Sequence, residues 1–392
     1  MSNTYNNPET AAAAPKRTAL VGKRQAKKAA KKKKRASMFW CIVRRTLLVF
    51  FTLILVVFAA FVLLCHTIFN GPSVNARNRL TMSMRESSGM KWFPQIFIGA
   101  DTVAEIEKAS NYELPDELSD YSQININLDS NLSGGDAWAD AVDGIRLEKI
   151  KGDTFNAYVM LIRDPSRVYL ATSTDKFARH IPGERINDQM EKEGAVAAIN
   201  AGAFYDNGTS SKEVGSTPED LTIAGGKVVW KTGSAPEEGF AGFNQDNILV
   251  VAKTMTADKA MELGIRDGCC FGPVLIMNGQ INEDAYNSKS GYNPRTCLGQ
   301  RADGAVVFLC IDGRQASSIG GTYKDCIDIL YEYGCVNACN MDGGSSSVML
   351  YRDNYGLYGE AGQVQMINNY SLLQAEPRRM PNFWMVRPAQ EG

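Results

Sequence analysis

Residues 306–350 read VVFLCIDGRQASSIGGTYKDCIDILYEYGCVNACNMDGGSSSVML, and the way this stretch alternates decides the fold. Val306 to Ile311 is an unbroken apolar run of strand length, the pattern of a strand covered on both faces. It ends in Asp312-Gly313-Arg314, a carboxylate and a guanidinium two residues apart at a strand's carboxyl end. Thr322 followed by Asp325 has the spacing of a capping box and predicts a helix start. Cys326, Ile329, Leu330 and Tyr333 then fall on one helical face, and Gly334 closes the helix. Val336 to Met341 returns as a strand and delivers Asp342 to the turn Gly343-Gly344-Ser345-Ser346-Ser347. A strand, a crossover helix and a second strand predict two neighbouring parallel strands. Both acidic loops then open at one edge of the sheet, the edge where open α/β sheets place ligands.

Working outward, regular alternation begins near Ile145, and Asp164-Pro165-Ser166 between two strand-like runs signals a hairpin. Further strands are expected at Ala195–Ile199, Leu221–Trp230, Ile248–Ala252, Pro273–Asn278, Thr296–Gln300 and Phe383–Val386, with a helix near Thr256–Leu263. Strands outnumber helices, which predicts an α+β domain over residues 144–392: a mixed, strand-rich sheet with a few crossover helices. Residues 70–143 combine helix-like DTVAEIEKA with turn-rich, polar text broken by Ser133-Gly134-Gly135, and read as a stalk or small docking subdomain. Thr46–Leu64 is nineteen residues without a charge, long enough to cross a bilayer as a transmembrane helix, so 46–69 is the expected anchor. Residues 1–45 carry thirteen Lys or Arg and one acid, Glu9, and read as a disordered basic arm on the cytoplasmic side. Removing them turns a near-neutral chain into 29 basic against 42 acidic residues, an exported portion with no evident use for nucleic acid. The expected location is a cell membrane, single-pass, with the C-terminal domain outside.

The residue inventory limits the chemistry. Only His66, at the membrane edge, and His180, without a neighbouring nucleophile, are present, so a Ser-His-Asp or Cys-His machine and a zinc site are disfavoured. The Gly-Gly-Ser-Ser-Ser turn is not a G-x-S-x-G elbow. Seven of the nine cysteines lie between Cys269 and Cys339; they read as core thiols with one or two bridges among them. What remains is carboxylate, guanidinium, amide and backbone N–H, an inventory suited to glycoside or phosphodiester cleavage. Asn200 through Gly208 (NAGAFYDNG) ends a small apolar strand, where an Asn and a Phe could meet a sugar, and Arg295 stands just before a buried strand.

Five stretches, INAGAFYDNG, STPEDLTIAGGKVVW, PRTCLGQRADGAVVFLCIDGR, GGTYKDCIDILYEYGCVNACNMDGGSSS and RRMPN, occur in the order expected of one family. Over roughly residues 140–390 the chain resembles the phosphodiester glycosidase family, and its anchored form is similar to the Gram-positive bacterial members. Where the family's text has a third glycine, this chain has Ser345, and Ala201 and Ala203 flank Gly202. The resemblance implies hydrolysis of an α-linked (N-acetyl)amino sugar from a sugar-1-phosphodiester of an envelope glycan. Carried to this chain it implies a pocket of Asn200, Gly202, Phe204, Arg295, Asp312, Arg314, Gly320, Thr322, Asn340, Asp342, Gly343, Gly344, Ser345, Ser346 and Arg378. Within that pocket Arg314 and the N–H groups of 343–345 would hold the phosphodiester, and Asp342 or Asp312 would act as base or ion stabiliser. No cofactor or metal is implied, although the acids could take a divalent cation. The other reading is a non-catalytic glycan-binding surface protein using the same pocket.

Overall fold

The computed structural model describes residues 15–87, 89–109, 118–128, 138, 140–205, 215–233, 237–352, 359–370 and 376–389. The expected Gly134–Gly135 break, the tail of the 200–208 stretch and the first fourteen residues of the basic arm lie outside them. The chain divides into two compact units, 1–71 and 72–392. The first is the single helix α1 (Pro15–Asn70), whose 31–70 portion is long and apolar enough to cross a membrane. The helix starts at Pro15, so the basic arm from there on is helical rather than disordered. Its Ala, Lys and Arg residues are strong helix formers.

The second unit is built on three sheets, in the α+β pattern expected. The largest runs β1 (Ile145–Lys151), β2 (Asn156–Ile162), β15 (Val306–Ile311), β14 (Arg295–Arg301), β16 (Cys335–Met341), β12 (Val274–Met277), β13 (Gln280–Ile281). A second runs β10 (Leu249–Met255), β9 (Glu237–Asn244), β11 (Ile265–Cys270), β7 (Thr222–Ala224), β8 (Lys227–Trp230). The third runs β18 (Val364–Met366), β17 (Met349–Arg352), β4 (Ala197–Asn200), β19 (Asn382–Val386), β3 (Val168–Thr172). A two-residue pair, β5 (Phe204–Tyr205) with β6 (Thr217–Pro218), completes the set.

Val306, Phe308 and Cys310 face a core shared by all three sheets, while Val307, Leu309 and Ile311 face a second core under helix α5 (Tyr323–Glu332). Both faces of β15 are thus buried, as its continuous apolar text requires. In the shared core Phe243 of β9 meets Trp384 of β19 edge-on, with ring centroids 5.6 Å apart. Helix α4 (Ile186–Glu193) covers the outer face of the third sheet through Ile186 and Met190.

Several expectations are corrected. β15 and β16 run parallel but are not neighbours, because β14 lies between them, antiparallel to both. Asp164-Pro165-Ser166 joins strands of different sheets instead of closing a hairpin. Leu221–Trp230 is two strands turned at Gly225-Gly226, both at positive φ. Among the described residues no disulfide joins the cysteines, and the seven from Cys269 to Cys339 are buried. Within residues 70–143, expected as a stalk or small docking subdomain, Asn125 N–H donates to the Ala302 carbonyl at 2.8 Å and Ser119 N–H to that of Val251 at 3.1 Å, so this described part is hydrogen-bonded to the sheets. In this region α2 (Val74–Arg85) and α3 (Phe93–Lys108) are the main elements.

Thr322 is the N-cap of α5, with its side chain accepting from the Asp325 N–H and the Asp325 carboxylate accepting from the Thr322 N–H at 2.7 Å. Thr322→Ala is therefore expected to cost about 1 kcal/mol of stability, read as a lower urea midpoint at unchanged slope. An unshifted midpoint would contradict the cap.

Candidate active site

The site begins with register. Arg295 pairs with Ile311 and Thr296 with Met341, so the carboxyl ends of β15 and β16 stop level on either side of β14, about two strand spacings (about 10 Å) apart. Asp312 and Asp342 leave these ends. The end of β4 reaches the same place from the third sheet. Asp342 N–H donates to the Ala201 carbonyl at 3.0 Å, and Asn200 Nδ2 donates to the Asp342 carbonyl at 2.6 Å.

Asp342 is half-buried at the start of the glycine-serine turn. Its Oδ1 accepts from Gly343 N–H at 2.9 Å. Burial pushes its carboxyl up to about 6; Ser346, the Arg378 charge and the Gly343 N–H pull it down, and Glu219 pushes it up. Arg314 comes from the loop after β15 with φ of 58°. Its guanidinium lies over Gly344, where a Cβ would stand 3.1 Å from Nη2. Gly344 itself has φ of 63°, so glycine is required there on two counts. Arg378 reaches the same turn. It donates to Ser345 Oγ at 3.3 Å and lies 4.7 Å over the Phe204 ring. Ser345 therefore supplies an anchor for Arg378 at the position where the family has its third glycine.

The structure brings the expected residues to one end of the sheets but gives them different jobs. Asn200 is fully buried: besides the Asp342 carbonyl it serves Thr296 Oγ1, which donates to its Oδ1 at 2.7 Å, and Val348 N–H at 3.2 Å. Asn340 is 1% exposed and donates to the Gly272 carbonyl at 2.9 Å. Arg295 is 4% exposed and occupied by Glu86 and by the carbonyls of Gly291 and Gly321. Gly320, at φ of 133°, passes so close to Asn293 that a Cβ would fall 2.6 Å from its nitrogen. Gly202 likewise packs on the Cys270 carbonyl and gives its N–H to Asn382 Oδ1 at 2.9 Å. With Thr322 and Ser346, also buried, these residues shape the site from behind. The turn N–H groups do not form the anion nest expected of them: Gly343 N–H faces Asp342 and Gly344 N–H donates to the Pro294 carbonyl at 2.9 Å.

Asp312 is the main correction. It is 1% exposed, with Oδ1 accepting from Asn369 N–H at 2.9 Å and Oδ2 from Asn369 Nδ2 at 3.0 Å. A base for a water molecule must reach solvent, so Asp312 is a brace. Through it the segment Asn368-Asn369-Tyr370 is pinned to β15, and Tyr370 OH donates to the Ser345 carbonyl at 2.5 Å. The sequence reading missed this clasp, and also Asn293, Glu86 and Glu219. Among these only Glu219, in the STPEDLTIAGGKVVW stretch, sat inside text already singled out. Among the described residues no three His, Cys, Asp or Glu side chains form a group that could hold a metal ion.

Burial raises the Asp312 carboxyl to about 6, against the pull of the Asn369 side chain and N–H, Asn368 and Lys149. A carboxyl raised on folding favours its protonated form, so its contribution is full below the unfolded value near 4 and declines up to about 6. The stability of the wild type relative to Asp312→Asn is expected to fall by up to about 3 kcal/mol between pH 4 and pH 7. Urea titrations across that range check it, and a pH-independent difference would contradict the assignment.

Residues 193–387 match the model of the family described as NAGPA, phosphodiester glycosidase. Among curated proteins the chain is 28% identical over 196 residues to the SPbeta prophage-derived uncharacterized protein YomE of Bacillus subtilis strain 168. That alignment covers 49% of this chain and 28% of the relative, so the chain spans little more than a quarter of the curated protein it matches. Among solved structures it is similar to the zebrafish N-acetylglucosamine-1-phosphodiester alpha-N-acetylglucosaminidase catalytic domain, auto-inhibited by its pro-peptide. The identity is 18%, the TM-score 0.48, and the match covers 62% of this chain and 82% of that one. A Synechocystis protein gives 14% identity, a TM-score of 0.42 and 63% coverage of each chain. Through residues 193–387, which supply β4, β14, β15, β16 and both arginines of the site, the chain belongs to the phosphodiester glycosidase family.

Proposed function

We propose that this protein is a membrane-anchored, extracytoplasmic hydrolase that releases an α-linked amino sugar from a sugar-1-phosphodiester of an envelope glycan. The observation that supports this reading is one half-buried carboxylate, Asp342, within electrostatic reach of two guanidinium groups, Arg314 over Gly344 and Arg378 on Ser345. Arg314 and Arg378 offer N–H donors and positive charge to a phosphodiester, and the charge that develops on the departing phosphate strengthens both contacts. Phosphate leaves readily, so the demanding step is attack of water on a carbon with oxocarbenium character. In this reading Asp342 takes the proton from that water or stabilises the cation. Either role needs it ionised, and its value of about 6 makes it so at neutral pH. Glu219, close enough to raise Asp342, is a second carboxylate beside the site. The basic residues before the apolar helix support an inward N-terminus by the positive-inside rule.

Full-length protein in detergent is expected to hydrolyse a UDP-free panel of amino-sugar-1-phosphodiesters, with activity rising with pH through an acid limb near 6. Asp342→Asn is expected to lower kcat by about 10²–10⁴ and to remove that limb. Arg314→Ala is expected to lower kcat/KM by about 10²–10³. Running the panel with and without chelator tests cation dependence in the same assay. Unchanged turnover in Asp342→Asn, or release of no sugar by the wild type from any member, would overturn the reading.

A further inference from the structure

We infer that Glu86, a residue outside the family-matched segment, is a positioning residue for this site, acting through Asn293 and Arg295 to aim Arg314. The inference rests on the phosphate-holding role given to Arg314 above.

Glu86 ends α2, and its side chain is 21% exposed. Its carboxylate gathers three donors. Oε2 accepts from Arg295 Nη2 at 2.8 Å and from Asn293 Nδ2 at 2.6 Å, and Oε1 accepts from Gly291 N–H at 3.1 Å. The helix is seated for this. Ser83 Oγ donates to the Tyr292 carbonyl at 2.8 Å, and the Arg79 guanidinium lies 5.1 Å over the Tyr292 ring. At Gly291 a Cβ would come within 2.2 Å of Ser83 nitrogen, so this strand of loop can hold the helix only as glycine.

Two consequences follow for Arg314. An amide has one carbonyl oxygen and one NH2, so an Asn293 whose Nδ2 is committed to Glu86 must turn Oδ1 the other way. There it accepts from Arg314 Nη2 at 3.1 Å. Flipped, the amide would present an NH2 to a guanidinium. The second consequence concerns charge. Carbonyls satisfy the Arg295 hydrogens but not its charge, and Glu86 is its ion-pair partner among the described residues. Burial disfavours the Arg295 cation, and Glu86 with Tyr323 more than offsets it. Loss of Glu86 would leave a buried, unneutralised guanidinium behind the loop that carries Arg314.

The test is a double-mutant cycle in the full-length protein: wild type, Glu86→Ala, Arg314→Ala and the double variant. Hydrolysis of a sugar-1-phosphodiester and affinity for inorganic phosphate by calorimetry are both read. If Glu86 works through Arg314, Glu86→Ala weakens kcat/KM and phosphate affinity by about tenfold or more in the first background and less than about twofold once Arg314 is gone. Thermal unfolding gives the stability loss separately, and Glu86→Gln, which keeps the volume, replaces Glu86→Ala should the latter not fold. Equal losses in both backgrounds, or no phosphate binding by the wild type, overturn the inference. A wild type that binds phosphate but hydrolyses nothing sinks the proposed function alone, and the affinity cycle still decides the role of Glu86.

Discussion

Two strand ends held level on either side of β14 are the constraint on which the site depends. The register that sets Arg295 against Ile311 and Thr296 against Met341 fixes where the DGR loop and the DGG turn begin. Everything polar at that end then closes the gap between them. The Pro294 carbonyl takes the Gly344 N–H, Asn200 ties the end of β4 to Asp342 and to Thr296, and Arg314 lies across Gly344. A slip of one residue in either ladder would turn Thr296, and every side chain of the slipped strand, to the opposite face. Sheet register is thus the structural origin of the candidate site's geometry.

The two aspartates illustrate how environment divides labour between identical side chains. Burial raises both carboxyls to about 6, so neither is distinguished by its proton affinity. Accessibility separates them. Asp312 is sealed and holds Asn369 by two hydrogen bonds; Asp342 is half-buried, within electrostatic reach of Arg314 and Arg378. A buried carboxylate that accepts two good hydrogen bonds and still prefers its proton destabilises the fold at neutral pH. The return for Asp312 is position: it fixes the segment whose Tyr370 supports Ser345, and Ser345 in turn anchors Arg378.

Much of this was legible in the chain, for reasons that can be named. β15 announces itself because both its faces are apolar, and α5 because Thr322 and Asp325 stand at capping-box spacing. The family text singled out residues that the structure gathers at one end of the sheets. The insertion of β14 between β15 and β16 was missed although its cue was present. Arg301-Ala302-Asp303-Gly304 is a tight turn, with Gly304 at φ of 91°, so β14 and β15 form a hairpin and one side of β15 is already taken. The crossover helix must then carry β16 to the far side of β14. Burial of Asp312 and Asn200 was not legible, because each depends on partners 57 and 96 residues or more away along the chain. Glu86 was less legible still: it meets Arg295 across 209 residues, from the region read as a stalk or small docking subdomain.

With two cations proposed around the phosphate and one carboxylate where water meets the sugar carbon, the central question is which bond breaks. Hydrolysis of a sugar-1-phosphodiester in water enriched in oxygen-18, with mass spectrometry of both products, decides this directly. Label in the released sugar is the predicted result, because water then attacks carbon and phosphate departs with its bridging oxygen. Label in the phosphomonoester would mean attack at phosphorus and would contradict the account.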